Sequence, residues 1–293
     1  MLGAAAMLLG GCVSTADRLP MSCERGGPWS DQVRAHAEDV WLLAQLASNS
    51  YRHLPDYQLP DMVERLDDVP NDPGGMAYST FRLRPPSGPD TLVIAYRGTE
   101  NLSAGDIVDD WAWGNMLGQQ NGNAVRAFDD VRGVPAPGGP EPAAPVIVTG
   151  HSLGGALATH VSLRRDDVTA HVFNTSPRFW RVPFRTDPNP VGRTSTVESG
   201  EFLKLFRVPF AEPNQLYTSI DCTTGKNAVV QHSIQRLARC LTAIAAQPDR
   251  VSGAAHADPV AAWSMRANGI RVDFSSLPPC RPSTPPSTPL STP

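Results

Sequence analysis

The stretch that decides the fold is residues 146–158, which read VIVTGHSLGGALA. Its first four residues are apolar and largely β-branched, as in a buried strand, whereas the residues from Leu153 onward favour a helix. Between them, GHSLG at 150–154 matches the GxSxG pattern of a sharp strand-to-helix turn, where small flanking residues let one serine project over the sheet edge. The pattern predicts Ser152 as a nucleophile at a helix N-terminus, which favours developing negative charge.

The segments around this turn alternate between strand and helix patterns. Apolar residues at helical spacing predict helices at 30–54, 153–165 and 233–246, with a shorter one at 124–131 and a last one starting at Asp258. Alternating or dense apolar runs predict strands at 76–84, 91–97, 146–149, 169–174 and 201–210. The intervening 55–75, 98–124, 135–145 and 176–200 carry no clean period. Strands alternating with helices predict an α/β fold with a central, mostly parallel sheet flanked by helices.

The two ends of the chain differ in composition from this central part. Residues 1–12 are an apolar run that ends in LGGC, which resembles a signal peptide with a bacterial lipobox, so that Cys12 would carry lipid. We expect residues 13–29 to be a linker and residues 30–280 to form the folded domain. Residues 281–293 repeat Pro, Ser and Thr and are expected to be disordered. These features predict a lipoprotein of the bacterial cell envelope, in the outer membrane or periplasm, with secretion as the second choice.

Cysteine usage agrees with an oxidising compartment. The chain has five cysteines, and lipidation of Cys12 leaves an even number. Of the three possible pairings, we expect Cys222 with Cys240 and Cys23 with Cys280. No cysteine and histidine spacing indicates a zinc site, so no metal is expected.

The overall composition excludes one class of partner. The formal net charge is −4 and no dense basic stretch occurs, so we expect no binding to nucleic acid. With 41% hydrophobic and 18% charged residues, the chain can bury a sizeable core.

A serine hydroxyl needs a base and an acid, which in this fold follow the serine in the order acid, then histidine. The histidines after the serine are His160, His171, His232 and His256. His160 lies two turns into the helix, and His171 is expected to be a packing residue within a strand. His232 precedes a strong helix in a loop and is the predicted base, with His256 as the alternative.

The acid and the oxyanion donors are predicted from position. Glu212 follows the predicted strand 201–210 and is the first choice for the acid, ahead of Asp221 and Asp187. One oxyanion donor should be the backbone N–H of Leu153, the residue after the nucleophile. Thr99, after the strand ending in Tyr-Arg-Gly, could provide the second.

Several of these motifs together resemble a known family. VIAYRGTE at 93–100, Asp-Trp at 110–111, the GHSLGG segment and FNTSPR at 173–178 are similar to the class 3 lipases, the fungal-lipase-like family of the α/β-hydrolase superfamily. The resemblance implies acyl-ester hydrolysis, often of glycerolipids, without a cofactor. It assigns Ser152 as nucleophile, Thr99 as oxyanion residue and His232 as base. The family's acid is an Asp before a Val-Pro-like segment, whereas this chain has Ala-Glu-Pro at 211–213.

The resemblance also bears on residues 101–117, which occupy the position of a mobile lid in that family. Trp111, Trp113, Met116 and Leu117 lie there, and they could either cover apolar surface as a lid or pack as ordinary core. The leading hypothesis is a lipase or esterase that acts on acylglycerols or phospholipids at a membrane or lipid surface. Two alternatives stay open: an amidase or thioesterase with the same triad, and a non-catalytic envelope lipoprotein that binds a lipid or a partner.

Overall fold

A computed structural model gives the fold of most of the central part of the chain. It describes residues 17–18, 29, 31–70, 76–98, 115–133, 144–176, 192–198, 200–201, 203, 216–220, 222, 227–247 and 258–272. The predicted signal segment, the Pro/Ser/Thr tail, and Cys12, Cys23 and Cys280 lie outside these residues. Within them, no helix is both long and apolar enough to cross a membrane.

The described residues form eight strands and six helices. The strands are β1 (Asp17–Arg18), β2 (Val63–Val69), β3 (Tyr78–Leu83), β4 (Thr91–Tyr96), β5 (Val146–His151), β6 (Val168–Phe173), β7 (Arg193–Glu198) and β8 (Leu216–Ile220). The helices are α1 (Asp31–Asn49), α2 (Asn115–Arg132), α3 (Leu153–Ser162), α4 (Ala228–Gln231), α5 (Ile234–Ala245) and α6 (Pro259–Ala267).

The strands form one sheet in the order β1-β8-β7-β6-β5-β4-β3-β2. Every pair from β1 to β4 along this order is parallel, whereas β4–β3 and β3–β2 are antiparallel. The strand–turn–helix from β5 into α3 lies near the middle of the parallel part. The predicted α/β-hydrolase fold, with a mostly parallel sheet flanked by helices, is confirmed.

Both faces of the sheet are covered by helices. In β4, Val93 and Ala95 pack into the cluster that contains α1, α5 and α6, while Leu92, Ile94 and Tyr96 pack into the cluster of α2 and α3. Successive strand residues point to opposite faces, so a strand buried on both sides reads as a continuous apolar run. This explains why TLVIAY at 91–96 has no polar alternation.

The disulfide between Cys222 and Cys240 is confirmed, with the two Cα atoms 6.0 Å apart. It joins Cys222, two residues after the end of β8, to the middle of α5. Only the capping residue Ser233 separates His232 from α5, so the disulfide braces the segment that carries the predicted base.

Four strands were not predicted: β1, which lies in the predicted linker, and β2, β7 and β8. β2 (VERLDDV) is an edge strand whose exposed side chains include Glu64, which pairs with Arg82 of β3 and with Arg84 just after β3. Charge is a common feature of edge strands, and it hides the apolar pattern. β7 (RTSTVE) is buried, but it buries Arg, Ser and Thr side chains, and β8 lies between the predicted strand 201–210 and the predicted helix 233–246, where no element was predicted.

Other boundaries also differ from the sequence predictions. Glu201 and Leu203 lie in a turn rather than in the predicted strand 201–210, of which residues 204–210 lie outside the described residues. The helix predicted at 124–131 begins earlier, at Asn115. Within the predicted linker 13–29, β1 pairs in parallel with β8.

Two histidines, the buried His36 of α1 and the half-buried His171 of β6, bond to polar side chains of β7 and explain part of its polar sequence. The Nε2 atom of His36 lies 2.7 Å from the hydroxyl of Thr196, and Nδ1 of His171 lies 2.6 Å from that of Thr194. Burial lowers the pKa of His36 to about 4. Burial, with the charge of His36 as a second cause, lowers the pKa of His171 to about 4. His171 is therefore a core residue, as predicted.

These histidines predict a loss of stability in mild acid. Because the folded pKa values lie below the ordinary 6.5, the unfolded chain binds protons first, and stability falls as the pH drops from about 6.5 towards 4. Each histidine can account for up to about 3 kcal/mol over this window. Urea unfolding should be measured across this pH range. The slope of the unfolding free energy against pH should be smaller in His36→Gln than in wild type, by an amount that corresponds to up to one bound proton. The exposed His53→Gln is the control, and an equal slope in all three proteins would contradict the prediction.

Candidate active site

Ser152 occupies a sharp turn between β5 and α3. Its backbone has φ 55° and ψ −122°, a conformation that non-glycine residues rarely adopt and that neighbouring structure must enforce. Its N–H donates to the carbonyl of Phe173 at 3.1 Å, and its carbonyl accepts from Ser176 N at 3.0 Å. The strand–turn–helix geometry predicted from GxSxG is therefore present.

The glycines of the turn are required by close backbone approaches. A Cβ atom on Gly150 would overlap the carbonyl group of Gly154, and one on Gly154 would overlap the carbonyl of Tyr96 at the end of β4. A Cβ atom on Gly98 would lie 2.8 Å from the carbonyl oxygen of His151 and 3.4 Å from the backbone nitrogen of Leu153. The end of β4 therefore touches the turn on the side of the Leu153 N–H.

His232 lies beside this turn. It directly follows α4 and is 4% exposed, while Ser152 is 5% exposed. The ring centroids of His232 and His151 are 4.6 Å apart, and Nε2 of His151 donates to the backbone carbonyl of His232 at 2.6 Å. The residue adjacent to the serine thus holds the backbone of the predicted base.

The carboxylate that meets His232 is that of Glu201. Its Oε2 atom lies 2.9 Å from Nδ1 of His232 and also accepts from the backbone N–H of Leu203 at 2.9 Å. Glu201 is 2% exposed. An imidazole that donates from Nδ1 to a carboxylate has Nε2 left unprotonated, which is the form that a general base requires.

Sequence reasoning missed Glu201 as the carboxylate that meets His232. It took this residue as the start of a strand, and chose Glu212, Asp221 and Asp187, all three of which lie outside the described residues. The available signal was the Val-Glu-Ser-Gly-Glu sequence at 197–201. Had β7 been recognised, Glu201 would have followed its carboxyl end by three residues, where acids of this fold are expected.

Tyr51 connects the end of β4 with the serine turn. Its hydroxyl accepts from Gly98 N at 3.0 Å and lies 3.2 Å from Nδ1 of His151. In the neutral His151 ring, Nε2 carries the proton donated to His232, so Nδ1 accepts from the Tyr51 hydroxyl. One chain of hydrogen bonds therefore runs from Gly98, through Tyr51 and His151, to His232.

Arg97 also fixes this end of β4. Its buried guanidinium pairs with Asp68 at 2.9 Å and donates to the carbonyl of Ser50. Partial burial raises the pKa of Asp68, but hydrogen bonds from Ser79 and Arg52 and the charges of Arg97 and Arg52 outweigh it and lower that pKa. An ionised Asp68 therefore holds Arg97 immediately ahead of Gly98.

The remaining predicted positions have the following places. Thr99, His256 and residues 101–114, including Trp111 and Trp113, lie outside the described residues. Met116 and Leu117 lie within α2, so the helix includes the last part of the predicted lid. His160 is buried in α3. Across the part of the chain that the structure describes, no group of three or more His, Cys, Asp or Glu residues could hold a metal ion.

Comparisons with known proteins gave structural neighbours only. No protein-family model matches the chain, and no curated protein does. Among solved structures it is similar to a lipase–propeptide complex from Rhizomucor miehei, at 15% identity over 72% of this chain and 78% of that one, with a TM-score of 0.43. A triacylglycerol lipase from Penicillium expansum matches at 13% identity over 65% and 81%, with a TM-score of 0.44.

An esterase from Pyrobaculum calidifontis matches at 10% identity over 73% of this chain and 91% of that one, with a TM-score of 0.31. These neighbours are lipases and esterases, but identities and TM-scores of this size carry no argument about chemistry. The chemistry therefore rests on the contacts of this chain's own residues.

The hydrogen-bond chain through Tyr51 predicts a specific effect of Tyr51→Phe. Removing the hydroxyl takes from the buried Gly98 N–H its acceptor, which should cost about 1–3 kcal/mol of unfolding free energy. The loosened turn should also slow covalent labelling of Ser152 by a phosphonate. Tyr57→Phe is the matched control, since Tyr57 donates to the Gln235 carbonyl and touches neither Gly98 nor His151 through its hydroxyl. Equal labelling rates in the two variants would contradict the role given to Tyr51.

Proposed function

We propose that this protein is a serine hydrolase that cleaves carboxylic esters, with Ser152 as nucleophile, His232 as base and Glu201 as acid. The observation that carries the proposal is the 2.9 Å contact between His232 Nδ1 and Glu201 Oε2, buried beside a serine at positive φ. Burial matters because a carboxylate away from water stabilises an imidazolium more strongly than an exposed one does.

The proposed reaction begins with attack of the Ser152 hydroxyl on the ester carbonyl. Nε2 of His232 takes the hydroxyl proton, and Glu201 stabilises the imidazolium that results. The tetrahedral oxyanion is stabilised by the N–H of Leu153 and by Thr99, which follows Gly98 beside that N–H. His232 then returns the proton to the leaving alkoxide, and the acyl-enzyme is released by a water molecule that His232 activates in the same way.

The proposed substrates are acylglycerols or phospholipids. This narrower proposal is supported by the resemblance of the RGT and GHSLGG segments to the class 3 lipases, in which such esters are frequent substrates. It predicts higher activity on long-chain than on short-chain esters, and a preference for ester over amide or thioester bonds.

The triad is tested by hydrolysis of p-nitrophenyl butyrate and p-nitrophenyl palmitate. We expect Ser152→Ala and His232→Ala to lower kcat by about 10³-fold or more, and Glu201→Gln by on the order of 10³–10⁴-fold. Glu212→Gln and Asp221→Asn are the matched controls and should stay within about 3-fold of wild type, because we assign the acid's role to Glu201.

The outcomes separate the parts of the proposal. Full activity of Glu201→Gln with a large loss at Glu212 or Asp221 would refute the acid and keep the esterase. Faster cleavage of matched anilides or thioesters would identify an amidase or thioesterase. If wild type cleaves none of these substrates and a phosphonate does not label Ser152, the enzyme proposal fails and the lipid- or partner-binding lipoprotein takes its place.

We also propose that Cys12 anchors the protein to the bacterial cell envelope. The support is the apolar run at 1–11 and the LGGC sequence that ends it. Mass spectrometry of the protein from membranes should find a mature N-terminus at Cys12 with the mass of an attached diacylglyceryl group, and Cys12→Ser should lose it. A mature chain beginning at Met1 would refute the anchor without affecting the triad.

A further inference from the structure

Asn174 lies where the segments that carry the proposed acid and base meet. It is the first residue after β6, and its side chain is fully buried. Its Oδ1 accepts from the backbone N–H of Glu198 at 2.8 Å, and its Nδ2 donates to the backbone carbonyl of Gln231 at 3.3 Å. Glu198 ends β7 three residues before Glu201, and Gln231 directly precedes His232. One amide group therefore holds both segments.

The backbone around Asn174 also holds the nucleophile. Phe173, before it, accepts from Ser152 N, and Ser176, two residues after it, donates to the Ser152 carbonyl. Asn174 itself donates from its N–H to the carbonyl of Thr196 at 2.9 Å, which continues the pairing of β6 with β7. All three segments of the proposed triad thus contact residues 173–176.

The conformation of Asn174 agrees with a role beyond filling space. Its φ is 41°, and among the described residues only Ser152 and Asn174 combine a side chain with positive φ. Asparagine tolerates this region better than most residues, although glycine would adopt it at the least cost. Glycine, however, has no side chain to bond Glu198 and Gln231. An apolar side chain of similar size, such as leucine, could form neither hydrogen bond. An amide provides a donor and an acceptor from the same end of one side chain.

A second contact shows how closely the two segments lie. A Cβ atom on Gly200 would overlap the side-chain amide of Gln231, so the turn that carries Glu201 rests against the residue before His232. A small displacement of either segment would therefore change the contact between His232 and Glu201. The amide of Asn174 bonds both segments at this junction.

We propose that Asn174 is a positioning residue that sets the distance and angle between Glu201 and His232. The inference rests on the proposed triad, and Asn174 acts through it without touching the substrate. Substrate binding does not depend on this amide, whereas stabilisation of the imidazolium does. Loss of the amide should therefore lower kcat and leave KM nearly unchanged.

The main test is Asn174→Gly, which removes the amide and suits the positive φ, so that backbone strain is not added. We expect kcat per phosphonate-titrated active site to fall by about 10- to 100-fold, with KM within about 3-fold of wild type. The kinetic pKa of the base should also shift downwards, because a misplaced Glu201 stabilises the imidazolium less.

Asn268→Gly is the matched control. Asn268 also bonds an N–H and carbonyls through its amide, but its partners are Gln58 and Ser264, far from the site, and it caps α6. This variant should keep the wild-type kcat per titrated site and the wild-type pH profile. If Asn174→Gly fails to fold, Asn174→Asp carries the test, because its carboxylate keeps the acceptor for Glu198 N and loses the donor to Gln231. Unchanged kcat and pH profile in the folded variants would overturn the proposal.

A readout independent of activity separates this inference from the proposed function. The proton between His232 Nδ1 and Glu201 should give a downfield ¹H NMR signal that disappears in His232→Ala. The signal should shift or broaden in Asn174→Gly and not in Asn268→Gly. If wild type is inactive on all esters but the signal responds in this way, the enzyme proposal fails and the positioning role stands. A signal unchanged in Asn174→Gly would overturn the positioning role.

Discussion

The site depends on one backbone constraint, the positive φ of Ser152. Such a conformation costs on the order of 1–3 kcal/mol and persists only when neighbouring structure fixes it. Here the end of β6 and the residues after it fix the conformation, through hydrogen bonds from Ser152 N to Phe173 and from Ser176 N to Ser152. The end of β4 fixes it from the other side, since the Tyr96 carbonyl leaves no room for a side chain on Gly154. The serine is thus held by both neighbouring strands of a parallel sheet.

The fold class, the serine turn and the place of His232 beside it could be predicted because their signals are local. At Gly150 and Gly154 the surrounding backbone comes so close that no Cβ atom would fit. The five residues 150–154 are therefore enough to predict the turn. His232 could be chosen because α5 has a clear helical pattern, and Ser233 caps it by accepting from Arg236 N. Neither the glycines of the turn nor the helical pattern of α5 requires knowledge of which strands are neighbours in the sheet.

The contact of Glu201 with His232 could not be predicted because the position of Glu201 depends on non-local packing. β7 buries Ser195, Thr196 and Arg193, and two of these side chains bond to partners distant in sequence, Arg193 to the carbonyl of Ser162 and Thr196 to His36. A strand that buries polar side chains lacks the apolar pattern by which strands are recognised. Because β7 was not predicted, Glu201 was not recognised as a residue that follows a strand. The predicted acid was placed after a strand at 201–210 instead, and residues 201 and 203 do not form that strand.

The segments that carry Glu201 and His232 are also joined by links that do not pass through the contact between these two side chains. The amide of Asn174 bonds the backbone of both, and the N–H of Cys222 donates to Oε1 of Glu198 while its sulfur is bonded to Cys240 in α5. The disulfide closes a loop with a sequence separation of 18 that contains His232, and it restricts this loop most in the unfolded chain. A hydrogen bond of 2.9 Å between two side chains on separate loops is easily lost if either loop moves. The Asn174 amide, the Glu198 carboxylate and the disulfide therefore support the geometry of His232 and Glu201 in addition to their own contact.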